Sequence, residues 1–152
     1  GLYPAPSVSR LAGIAKQAGL SFVSDPHTGP IELQVRKFVE AGLSVALGQD
    51  DIEDAYYPYG RHNMLEVAFL ASHILQFLTE ADQKLLIELI TNRAAETLGI
   101  AGHEIAVGSD ANLCVHNSRR IIDLLREHEA PRHVVGTGKF SARTQITSEI
   151  IR

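Results

Sequence analysis

The sequence predicts an α/β protein built on parallel strands, and three observations carry that prediction. Two short apolar, β-favouring runs, over 20–24 and 43–47, each follow a helical stretch, and helix, strand, helix, strand at such tight spacing is a parallel unit. The second run breaks at Gly48 into a turn holding Asp50, Asp51, Glu53 and Asp54, so carboxylates crowd the strand's carboxyl end. From His62 onward the apolar residues return at helical rather than strand spacing.

The elements follow in order. Ser7 or Ser9 caps a first helix reaching Ala18, with Val8, Leu11, Ala12 and Ala15 at helical spacing and Gly19 as its stop. The strand over 20–24 ends in the turn cluster Asp25-Pro26-His27-Thr28-Gly29-Pro30. A second helix spans about 31–41, with Ile31, Val35, Phe38 and Val39 on one side and Gly42 after it, and feeds the strand over 43–47. His62 to Leu78 is apolar over much of its surface and reads as a buried helix. Thr79 caps the next, with Glu80 and Asp82 in its first turn, and a short helix over 92–98 stops at Gly99. Residues 105–110 read as a turn, 111–115 as a strand and 118–129 as a helix. A hairpin of 132–135 and 139–142 turns at Thr137-Gly138. Two parallel strands alone make a poor sheet, and the strands of the tail need partners, so neighbours beyond this chain are expected.

Composition narrows the function. With 152 residues, 45% hydrophobic and 21% charged, the chain suits one globular domain. A net charge of −4 without a basic run argues against a nucleic-acid surface, and no stretch reaches the roughly 20 apolar residues of a membrane span. One cysteine, Cys114, excludes an internal disulfide, and the expected compartment is the cytoplasm. The chain opens Gly1-Leu2-Tyr3-Pro4 and its one methionine is Met64, which reads as a piece of something longer.

The acidic turn is the candidate site. In α/β proteins ligands bind at the carboxyl ends of the strands, and Tyr56, Tyr57 and Tyr59, pinned by Pro58 and Gly60, are larger side chains than a purely solvated loop needs. The run from Gly48 to Gly60, followed by Asn63-Met64-Leu65, resembles the segment after the last barrel strand of cytosine deaminase and its relatives in the amidohydrolase superfamily. A second stretch, Gly102-His-Glu-Ile105-Ala-Val-Gly108-Ser-Asp-Ala111-Asn-Leu113, is similar to that superfamily's carboxyl-terminal pattern, where the chain leaves the barrel.

The resemblance covers nearly the whole chain. It implies an α/β fold that is the carboxyl-terminal part of a (β/α)8 TIM-like barrel of a metal-dependent hydrolase, with part of a small β-sandwich. Residues 1–100 would supply the last two strands and helices of the barrel, and 101–152 the tail in the sandwich. It implies that Asp50 is the catalytic and metal-binding aspartate, that Asp51 sits by the substrate pocket, and that Tyr56 lines it where the family has a tryptophan. The cofactor would be one divalent metal, zinc or iron, and the substrate a pyrimidine or related nitrogen heterocycle deaminated at a C–N bond. Gln49 departs from a histidine often found there. The family's His-x-His pair, its two later histidines and its acid/base glutamate have no counterpart, and a working metal site needs about three protein ligands. This chain by itself is therefore expected to be inactive, its partner being the missing amino-terminal part of the same enzyme.

The histidines do not rebuild such a site. His62 and His73 share a helical face but stand about 16 Å apart along the axis. His27 could lie near Asp50 but reads as a loop histidine, and His103, His116, His128 and His133 read as structural or solvated. Cys114 reads as a buried apolar cysteine. Two other readings stand beside the first: a catalytically silent binding module that covers its open strand edge, as by forming a homo-oligomer, and a small α/β enzyme holding magnesium or calcium on Asp50, Asp51 and Asp54.

Overall fold

The computed structural model describes residues 5–26, 33–50, 52–55 and 57–150. The predicted helix–strand–helix–strand unit is present: α1 Ala5–Gln17, β1 Phe22–Ser24, α2 Val35–Glu40 and β2 Val45–Leu47. The strands pair in parallel, Phe22 with Val45, Val23 with Ala46 and Ser24 with Leu47. Val8, Ala12 and Ala15 bury the inner face of α1, but Leu11 belongs to the other face and is half exposed. The left-handed Gly19 stops α1, with the Leu20 N–H returning to the Ala15 carbonyl. Gly42 does the same for α2, and Lys16 Nζ donates to Ala41 O at 3.1 Å, joining the ends of the two helices. Helix α2 begins later than expected: Leu33 and Gln34 are not helical, and Ile31 lies outside the described residues.

The helical layer is α3 Met64–Ile74, α4 Glu80–Ile90 and α5 Asn92–Thr97. Asn63 caps α3 by accepting from the Leu65 N–H, so His62 precedes the helix instead of sitting on a face of it with His73. Thr79 and Asp82 form a reciprocal capping box at α4. Every residue of β2 is buried, Val45 and Leu47 packing with Phe38, Val67, Ala68, Leu86 and Leu89 in one core. Phe22 meets Phe38 edge to face at 4.8 Å, which seats β1 on α2.

The tail forms β3 Leu113–Val115, α6 Ile121–Glu127, β4 His133–Gly136 and β5 Lys139–Arg143. Its strands find their partners in one another, in an antiparallel sheet of order β3-β4-β5. Thr137 and Gly138, both with positive φ, make the hairpin turn. The side chain of Leu125 in α6 enters the core, and Asn63 Nδ2 donates to the His128 carbonyl at 2.7 Å, so α6 is fastened to the start of α3. Cys114 corrects the sequence reading: it is exposed, on β3, an edge strand of the described sheet.

Candidate active site

The site is the carboxyl end of β2. After the last ladder pair the backbone bond from Gly48 N–H to Ser24 O, 2.9 Å, keeps the two strand ends together. Gly48 is required by sterics, since a Cβ at this position would stand 2.6 Å from Val23 Cγ1. One step further on, the Asp50 N–H donates to Oδ2 of Asp25, the residue after β1, at 3.3 Å. Asp50 itself is exposed, with its carboxylate at the mouth of the strand pair. The structure thus joins Asp50 to Asp25, a pairing that sequence reasoning missed. The sequence signal was only that Asp25 ends the first strand run as the Gly48 turn ends the second; the observed register sets Asp25 level with Gly48.

Behind this turn, Gln49 is half buried, and its Nε2 is the one buried side-chain nitrogen or oxygen among the described residues without a hydrogen-bond partner. Val45 and Leu47 alternate with Ala46 and pack into the helical core, and Gln49 is the next residue of their parity beyond the strand. Beyond it, the left-handed Glu53 bends the chain, and Asp54 Oδ1 accepts the Tyr57 N–H at 2.9 Å, closing a local turn. Tyr57 and Tyr59 meet edge to face at 6.1 Å. Arg61 then pairs with the buried Glu66 of α3, Nε to Oε2 2.8 Å, returning the loop to the helical layer. Asp51, Tyr56 and His27, three residues the sequence singled out, lie outside the described residues.

A divalent metal held by protein side chains needs about three ligands. Among the described residues no three of His, Cys, Asp and Glu are grouped so as to hold one. Asp50 with Asp25 beside its amide does not fit such an ion without further ligands. What the arrangement does supply is a solvent-accessible carboxylate, that of Asp50, just past the end of β2, a group able to accept and return a proton.

Residues 1–142 match the model of the amidohydrolase family, and the chain belongs to that family. Its similarity to particular members is informative about how much of such a protein is present. It is 34% identical over 104 residues to N-isopropylammelide isopropyl amidohydrolase of Pseudomonas sp. (strain ADP), a match covering 68% of this chain and 26% of that protein. N-isopropylammelide isopropylaminohydrolase from Burkholderia multivorans has the same fold over 93% of this chain and 36% of its own, with a TM-score of 0.87 and 23% identity. The 5-methylcytosine deaminase from Klebsiella pneumoniae liganded with 5-fluorocytosine superposes over 99% of this chain and 39% of its own, with a TM-score of 0.83 and 24% identity. The chain therefore spans about a quarter of the length of the curated relative it matches. The fold is that of amidohydrolases, mixed α/β, and among the described residues no helix is long and apolar enough to cross a membrane.

Proposed function

We propose that this chain is the carboxyl-terminal part of a metal-dependent, cytosine deaminase-like hydrolase that cleaves a C–N bond on a pyrimidine or triazine-type nitrogen heterocycle. The observation that carries the reading is the placement of Asp50: an exposed carboxylate at the carboxyl end of a buried parallel strand, in a chain of the amidohydrolase family. In this reading β1 and β2 are the last two strands of a (β/α)8 barrel contributed by residues 1–100, and 101–152 belong to a small β-sandwich. The relative from Pseudomonas carries the name of an enzyme acting on N-isopropylammelide, which supports a heterocyclic substrate.

The chemistry assigned to Asp50 is proton transfer. Water adds to the ring carbon that bears the exocyclic nitrogen, and the carboxylate takes the proton the water gives up. As the C–N bond breaks, that proton is delivered to the leaving amine or ammonia, so the carboxylate is regenerated. Asp51 and Tyr56 are assigned to the substrate pocket. The divalent metal of the proposal, zinc or iron, would draw its remaining ligands from a part of the protein outside this chain. We assign the complete enzyme to the cytoplasm.

The test is turnover by the full natural protein on aminated pyrimidines and triazines, followed as release of ammonia or amine. Asp50→Ala should lower kcat by at least about a hundredfold, the usual worth of a positioned acid/base. Undiminished turnover in that variant would remove Asp50 from the chemistry. The 152-residue chain alone should release nothing.

A second reading, a silent binding module, is favoured by one observation: the described residues close a core of their own around Phe38, Val67, Leu86 and Leu89. Cooperative unfolding and a defined oligomer of the chain by itself, with no open reading frame for further strands upstream of it in the coding DNA, would support this reading over the first.

A further inference from the structure

The pairing of Asp25 with Asp50 goes one step beyond the site as proposed, and it rests on the reading of Asp50 as the reacting carboxylate. In the parallel ladder Ser44 and Gly48 of the second strand segment, either side of Ala46 in the same alternation, bond to the first through their backbones, Phe22 N–H to Ser44 O at 3.0 Å and Gly48 N–H to Ser24 O at 2.9 Å. Asp50 is the next residue of the same parity. Among the described residues its N–H finds no backbone carbonyl; the acceptor is the side chain of Asp25. Pro26 follows Asp25 and has no N–H to give to the second strand, so the ladder loses a donor on that side. The carboxylate of Asp25 thus serves where a backbone carbonyl would continue the ladder.

We propose that Asp25 is the positioning residue for Asp50: it extends the β1–β2 ladder by one hydrogen bond beyond the last strand residue and so fixes the backbone from which the Asp50 carboxylate projects. Close packing of Val23 on Gly48 brings the two strand ends near enough for that bond to form. The function requires an oxygen acceptor at position 25 and not its charge. Asparagine would serve, and alanine would not.

Two measurements on the full natural protein test this. In amide hydrogen exchange, Asp50 N–H should be protected in the wild type, at least tenfold less protected in Asp25→Ala, and close to wild type in Asp25→Asn. In steady-state turnover of the heterocycle, Asp25→Ala should lower kcat about tenfold or more with KM little changed, and Asp25→Asn should recover most of it. An Asp50 amide that exchanges in the wild type as fast as an unstructured one overturns the proposal without any variant, even if Asp25→Ala fails to fold. So does an Asp25→Asn protein as impaired as Asp25→Ala, since charge and not the acceptor would then be at work. Failure of the catalytic reading looks different: Asp50→Ala would keep its turnover while the exchange pattern at Asp50 still followed residue 25.

Discussion

Gly48 and Val23 stand so close across the parallel strand pair that a methyl group on Gly48 would lie 2.6 Å from Val23 Cγ1. No non-bonded pair of carbon atoms tolerates that distance, and the β-branched valine, although 61% exposed, is held to few side-chain positions within a strand. Gly48→Ala should therefore push β1 and β2 apart at the end that carries Asp50. The expected cost is about 1–3 kcal/mol, typical of overpacking. Denaturant midpoints check it, and the second change Val23→Ala should restore most of the loss; no restoration would mean that the strain lies elsewhere.

Asp82 joins three pieces of structure. Its Oδ2 accepts the N–H groups of Leu78 and Thr79 and the Thr79 hydroxyl, its Oδ1 takes the Arg36 guanidinium of α2, and that guanidinium lies 4.5 Å from the centre of the Phe77 ring. Asp82→Ala removes a cap and a charged hydrogen bond together, and about 2–3 kcal/mol of stability should go with them. Asp82→Asn should fall between the wild type and the alanine variant on the same denaturation curve.

The same carboxylate predicts a pH dependence. Burial acts to raise its pKa, but the Thr79 backbone hydrogen bond, the Arg36 hydrogen bond and charge and the Thr79 hydroxyl outweigh it and lower the value from 3.8 to about 2. Because the folded value lies below the unfolded one, the stabilisation is complete above pH 3.8 and is lost as the pH falls through about 2. Acid titration should show a gap between wild type and Asp82→Asn that is constant near neutrality and closes across that window. A gap that persists unchanged at pH 2 would refute the assignment.

Asn63 serves two helices at once, capping α3 through Oδ1 to the Leu65 N–H at 3.0 Å and holding α6 through Nδ2 to the His128 carbonyl at 2.7 Å. Asn63→Asp keeps the cap and loses the donor, while Asn63→Ala loses both. Alanine should cost about 1–2 kcal/mol. The aspartate variant should loosen α6 selectively, visible as faster amide exchange over Ile121–Glu127 with α3 unchanged. Equal loosening of both helices would show that the cap, and not the tie to His128, fails in it.

Glu66 is buried with Arg61 as its partner, and Arg61 is itself more than half exposed. Arg61→Ala should leave the carboxylate without that bond and cost about 1–3 kcal/mol. Exposure of the arginine puts the loss toward the lower end, and high salt should shrink it further. The double variant Arg61→Ala with Glu66→Gln should recover stability, read from the same thermal melts.

Local chemistry made much of this fold legible. Thr79 with Asp82 three residues on marks a helix start, Gly19 and Gly42 mark helix stops, and Thr137-Gly138 marks a two-residue hairpin turn; each of these works through groups only a few residues apart. Asp50 at the end of a buried strand was legible for the same reason, the apolar run and the glycine after it being contiguous. Leu11 and Cys114 were misplaced because periodicity tells which residues share a face but not whether anything covers that face. Leu11 shares a turn with Ala12 and points away from the core; Cys114 lies on an edge strand.

The sequence by itself determined the family, the order of helices and strands, and the carboxylate that ends β2, because motif, periodicity and turn chemistry are all short-range properties. Tertiary structure alone decided that Asp25 answers Asp50, that Arg36 reaches Asp82 across forty-six residues, and that Asn63 reaches His128 across sixty-five. Each of those pairs depends on how whole elements dock, and docking is set by the shared core of Phe38, Val45, Leu47, Val67 and Leu86, whose apolar contacts carry no directional code along the chain. Polar partners are then matched where the packed backbone brings them together, as the buried Asp82 is matched by Arg36 and Thr79.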